Sequence, residues 1–126
     1  MFTQIRTSKA NRELVTLLTR KLSLGAENVI ARIAIAHSLE QGKQLDISDI
    51  KDSSGKEYAK SVLLGDKYDV YIGMICTMYG IYKTDKNLPK LLKMHLDHGL
   101  ELVNEQVEDR PNVDGFEFLV ELVGVV

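Results

Sequence analysis

The sequence predicts a mainly α protein: a compact helical domain of four to five helices, opened by a short strand. Three observations carry that prediction. Apolar residues recur at helical spacing in four separate windows. Turn residues (Gly25, Gly42, the DSSG stretch, Pro89) fall between those windows. Period-two alternation is confined to the two ends, Phe2–Thr7 and Phe116–Leu122. At 126 residues, 44% hydrophobic and 27% charged, the chain suits one domain, residues 1–126, with a core over 5–108 and a C-terminal extension over 109–126.

Phe2–Thr7 alternates weakly and reads as the strand. Ser8 suits the N-cap of a helix from Lys9 to Leu22. Ala10, Leu14, Leu17, Leu18 and Leu22 share its apolar face, Lys9, Arg12, Glu13, Thr16 and Arg20 the opposite one. Lys21 falls on the leucine side and must snorkel. A second helix runs from about Ala26 to Gln41 and stops at Gly42. Its stretch NVIARIAIAHSL is apolar nearly all round, which predicts burial on every side. A chain this small has little material to surround it, so self-association is expected, with Val29, Ile30, Ile33 and Ile35 at the subunit interface and Arg32 as an interface ion-pair partner.

Residues 43–65 read as a polar connector, with SVLLG as an apolar patch docked on the core. Asp66 is placed to cap a third helix, about Lys67 to Ile81, whose Tyr71, Met74, Ile75 and Met78 form a core stripe. Pro89 suits the first turn of a fourth helix, to about Glu108. Leu91, Leu92, His95, Gly99, Leu102 and Val103 mark its buried face. Its exposed face begins with Lys90 and Lys93 and ends with Asp97 and Glu101, the reverse of what a helix dipole favours. The tail, VDGFEFLVELVGVV, is either a helix capped by Asp114 and Glu117, gathering Phe116, Leu119, Val120 and Val123, or a strand; in both cases it docks or associates.

The net charge of −2 conceals a polarised chain. Residues 1–32 hold six basic groups against two acids, and residues 83–96 hold four lysines against Asp85. Residues 97–126 hold eight acids against Arg110. Such asymmetry points to a polyanionic partner. Two cationic stripes are the candidate contacts to nucleic acid or another polyanion: Lys9, Arg12 and Arg20, and Lys86, Lys90 and Lys93.

Catalytic patterns are scarce. Cys76 lies in the apolar run MICTMYG and reads as a buried thiol; as the only cysteine it excludes an internal disulfide or a cysteine-rich zinc cage. His95 and His98 lack further ligands at metal spacing, so no metal is assigned, and His95 and His37 read as core or interface histidines. DSSGKE lacks the spacing that wraps phosphates. An enzyme is not expected, nor any cofactor. The N-terminus has no secretory apolar stretch and no run suits a membrane span, so a cytoplasmic setting is expected.

The segment RTSKANRELVTLLTRKLSLGAENVIARIAIAHSLEQG, the connector SVLLGDKYD and the helix LLKMHLDHGLELV follow one another in an order that resembles the DndE family. This is the small subunit of the bacterial DNA phosphorothioation (DNA sulfur modification) system, a restriction-modification setting. The likeness spans about residues 5 to 104. It implies a helical protein that forms a homotetramer and binds duplex DNA, preferentially nicked, through surface lysines. Other Dnd subunits would perform the chemistry: a cysteine desulfurase, an iron–sulfur protein and an ATPase-like subunit. The family offers no catalytic residue to carry over. Two other readings stay open. A strand followed by two helices also resembles a ribbon-helix-helix regulator, with Thr3, Ile5 and Thr7 or Gln4 and Arg6 reading bases. The third is an oligomeric adaptor that never touches DNA.

Overall fold

Ser8 does what its side chain suits it for. In the computed structural model, which describes residues 2–123, its hydroxyl accepts the Asn11 amide at 3.3 Å and opens helix α1 (Lys9–Leu22). Strand β1 (Gln4–Arg6) precedes it, with Ile5 turned inward and its neighbours outward. The strand's partner was not anticipated: β2 (Glu57–Ala59), inside the stretch read as a connector, pairs with it antiparallel, Ile5 opposite Tyr58. Three residues are too few for alternation to register in sequence. A ribbon-helix-helix fold would pair β1 with the same strand of a second copy; here it pairs with the chain's own β2.

Helix α2 (Glu27–Glu40) and helix α5 (Leu88–Val107) form the centre. They approach so closely that a Cβ on Gly99 would stand 1.8 Å from the Ala34 carbonyl oxygen. The expectation that one protomer cannot surround α2 is corrected by this arrangement. Helices α1 and α5 and the later elements α3 (Lys60–Leu64) and α4 (Tyr68–Tyr79) enclose it. Ile30 and Ile35 lie in the protomer's own core, which leaves only Val29 and Ile33, half-buried, near the surface. Arg32 is in no ion pair with a carboxylate among the described residues. Its guanidinium donates to the Val62 and Leu63 carbonyls at 2.9 and 2.8 Å and so closes the carboxyl end of α3.

SVLLG is the short helix α3, with Leu63 and Leu64 fully buried. Asp66 does not cap α4. It sits in a 3-10 turn over Gly65–Lys67 that leads directly into the helix. The core stripe of α4 is Ile72 and Ile75, with Met74 exposed and Tyr71 and Met78 half-buried. Pro89 sits in the first turn of α5 as expected.

The extension forms α6 (Gly115–Val123), and the Asp114 carboxylate accepts the Glu117 amide at 3.1 Å. Its inner face is Gly115 and Phe118, not the grouping expected; Phe116, Val120 and Val123 face out. Gly115 sets that rotation, because a Cβ there would stand 2.0 Å from the Leu22 carbonyl oxygen at the end of α1. Lys21 snorkels as expected and donates to the Val107 carbonyl, placing a cation at the carboxyl end of α5. Residues 124–126 of the tail lie outside the described residues.

Candidate nucleic-acid interface

Five of the six proposed DNA contacts lie on the surface. Lys9, Arg12 and Arg20 follow the outer face of α1, and Lys86 and Lys90 flank the start of α5. None of the five is held in an ion pair with a carboxylate among the described residues. Arg6, Lys51, Lys56 and Arg110, by contrast, are paired with Glu57, Glu101, Glu27 and Glu121. The two stripes approach each other across residues 50–53. Lys90 lines a shallow groove of about 310 Å³ with Gln4, Arg6 and Ser53. The adjacent Asp52 accepts the Lys9 amide at 2.9 Å. From Lys9 to Arg20 the helix extends the basic track by roughly 16 Å. Lys83, overlooked in the sequence as a contact, is exposed and lines with Lys86 and Phe2 a cleft of about 390 Å³.

Lys93 is the exception. It is 5% exposed, and its ammonium sits 2.6 Å from the Asp97 carboxylate, itself 4% exposed. Both were expected on the outer face of the helix. That expectation fails because Asp97 serves another helix. Its Oδ1 accepts the Ser8 amide at 3.0 Å and the Asn11 side-chain amide at 2.8 Å. No acid of α1's own occupies its first turn. Asp97 and Asp52 bring negative charge to that positive end from elsewhere in the chain. The reversed order of Lys93 and Asp97 along α5 is therefore an internal brace. It also rotates α1: Asn11 and Val15 are buried with Leu18 and Leu22, while Ala10 and Leu17 face solvent.

A second polar group is built on α2, α4 and α5. Tyr79 accepts the Leu45 amide at 2.8 Å, and its hydroxyl lies 2.7 Å from His95 Nε2. His95 Nδ1 lies 2.7 Å from Ser38 Oγ, which lies 2.8 Å from His98 Nδ1. His95 is the core histidine the sequence suggested, fully enclosed. Ser38 is equally enclosed, so no substrate reaches its hydroxyl. Burial, reinforced by His98, pushes the His95 pKa down to about 4; burial also lowers that of His98. His95 is thus neutral when folded and takes a proton more readily once unfolded. Its contribution to stability is complete above about pH 6.5 and lost as the pH falls toward 4. Urea unfolding at pH 7 and pH 4.5 is expected to differ by roughly 2 kcal/mol from this group. His95→Gln should flatten that dependence, and an unchanged slope in the variant would contradict the assignment.

Among the described residues no three of His, Cys, Asp and Glu stand together as a metal site, and no helix is long and apolar enough to cross a membrane. Cys76 is half-buried in α4. The family model for the DNA sulphur modification protein DndE matches residues 4–110. Among solved structures, the fold is similar to that of DndE from Escherichia coli B7A involved in DNA phosphorothioation modification. That likeness has a TM-score of 0.66 and 18% identity, and covers 80% of this chain and 96% of the other. A glycine-to-lysine mutant of DndE is similar at a TM-score of 0.67 and 19% identity, with 81% and 97% covered. No curated protein matches the chain.

Proposed function

The chain belongs to the DndE family of the DNA phosphorothioation system, and from that premise we propose that it is the system's non-catalytic DNA-binding subunit, gripping the phosphate backbone. The observation that carries this is the track of exposed lysines and arginines without carboxylate partners among the described residues: Lys9, Arg12, Arg20, Lys86 and Lys90, joined by Lys83. Cations left free in this way displace counterions from DNA and bind it with little regard to sequence. Lys93 is withdrawn from the set because its charge is consumed inside the fold. The reading includes nicked duplex as the preferred form, a homotetramer that multiplies the track, and docking to the Dnd subunits that perform the sulfur chemistry.

Two triple variants test it. Lys9→Ala/Arg12→Ala/Arg20→Ala and Lys83→Ala/Lys86→Ala/Lys90→Ala are each expected to weaken duplex binding without changing the unfolding midpoint. For every phosphate that is no longer neutralised, the slope of log affinity against log salt should become shallower by about 0.9. Fluorescence anisotropy over a salt series reads both quantities. Parental affinity in both variants at low salt would rule out these residues as the grip and favour the adaptor.

A further inference from the structure

Helix α4 ends at Gly80, which adopts φ +63°, and the chain then turns sharply before α5. That connection is braced: the Asp85 amide donates to the Tyr82 carbonyl at 2.9 Å, the Leu88 amide to the Asp85 carbonyl at 3.1 Å, and the Asn87 amide to the Asp85 carboxylate at 2.8 Å. On this ordered loop stands Tyr82, 86% exposed, the most exposed of the large hydrophobic side chains described. Its ring and hydroxyl meet no partner among the described residues. Folding gains nothing from an aromatic ring left in water, and a short braced loop keeps its position defined.

The surroundings favour one kind of ligand. Tyr82 borders a groove of about 620 Å³, whose walls include Ile72, Ile81 and Cys76. The groove is apolar for the most part, with Asp69 at its edge. Lys83 and Thr84 also line the neighbouring cleft that holds Lys86. An open, largely apolar groove beside a ring, with Lys83 in its wall, suits a planar heterocycle joined to a phosphate. The nearby Lys60 ammonium is already placed over the Phe2 and Tyr68 rings, 5.5 and 4.5 Å from their centroids, so those two aromatics are engaged within the fold. Tyr82 is the ring left for a base.

We propose that Tyr82 is a stacking site for an unpaired nucleobase, with Lys83 and Lys86 holding the adjoining phosphates. The proposal rests on the DNA-binding reading above and adds to it a means of sensing bases that are out of the duplex. Stacking of this kind accepts any base, because every base has a π face. Asp69 disfavours phosphate in the groove, while in the neighbouring cleft Lys83 and Lys86 outnumber Asp85, whose carboxylate already accepts the Asn87 amide; the backbone therefore follows the two lysines and the base enters the groove.

The test compares the full-length parent, Tyr82→Ala and Tyr82→Phe on two probes: an intact duplex, and a short single-stranded oligonucleotide containing 2-aminopurine. The parent is expected to quench the fluorescent base as it stacks. Tyr82→Ala should abolish the quenching and weaken single-strand binding roughly tenfold, leaving duplex affinity unchanged, while Tyr82→Phe retains both. Parental quenching and affinity in Tyr82→Ala, with the duplex still bound, overturn the stacking site and leave the DNA-binding reading intact. An equal loss on both probes overturns it too, since Tyr82 would then support general binding only. A parent that binds neither probe overturns both readings together.

Discussion

Asp97→Ala is expected to cost about 3–5 kcal/mol, a large part of the stability of a domain this size. The loss comes from what stays behind. Lys93 keeps a buried ammonium with no counter-charge, and the Ser8 and Asn11 N–H groups lose an acceptor that water does not reach. Lys93→Met should cost less, because the carboxylate keeps two N–H donors and methionine is close in shape to a buried lysine stem. Urea unfolding of the two variants beside the parent measures both. A loss below about 1 kcal/mol for Asp97→Ala would mean that the pair is open to water in solution.

Gly99→Ala is the second large effect, at about 3 kcal/mol or more. A single methyl group there would meet the Ala34 carbonyl oxygen at 1.8 Å, the carbonyl carbon at 2.3 Å and the Cα at 2.9 Å. All three are backbone atoms of a helix, so no rotamer change clears the space. The only relief is to move α2 away from α5, which opens gaps along the seam that includes Leu92, Leu96 and Leu100. Ala34→Gly therefore cannot rescue Gly99→Ala, since all three contacts are with backbone atoms that glycine keeps. Thermal unfolding of the single and double variants decides this. Recovery of the parental midpoint in the double variant would show that side-chain crowding, and not backbone approach, sets the helix spacing.

The helices were legible where local chemistry governs them. Ser8, Gly42 and Pro89 each mark a boundary through their own backbone preferences, and α1 runs from Lys9 to Leu22 as its cap and periodicity predict. Faces were less legible than boundaries. Asn11 turns inward because of a carboxylate 86 residues away, and Gly115 turns α6 through contact with Leu22. Neither partner can be read from a window of neighbouring residues. The same limit governs the candidate site: Lys93 and Lys90 look alike in sequence, yet one is buried in a brace and the other lies on the surface. Tyr82 carries no signal in the sequence, because a lone tyrosine in a turn has no pattern; only its exposure in the fold separates it from Tyr79.

The link from Ser8 to Asp97 spans 89 residues, and that separation bears on synthesis. Translation delivers α1 first, when the acid that seats its amino end has yet to be made. Until α5 emerges, the helix can coil locally but has no place to settle, and its leucines stay unprotected. Nascent chains stalled before Asp97 should accordingly be cut by protease within the first helix, and chains stalled well beyond α5 should resist.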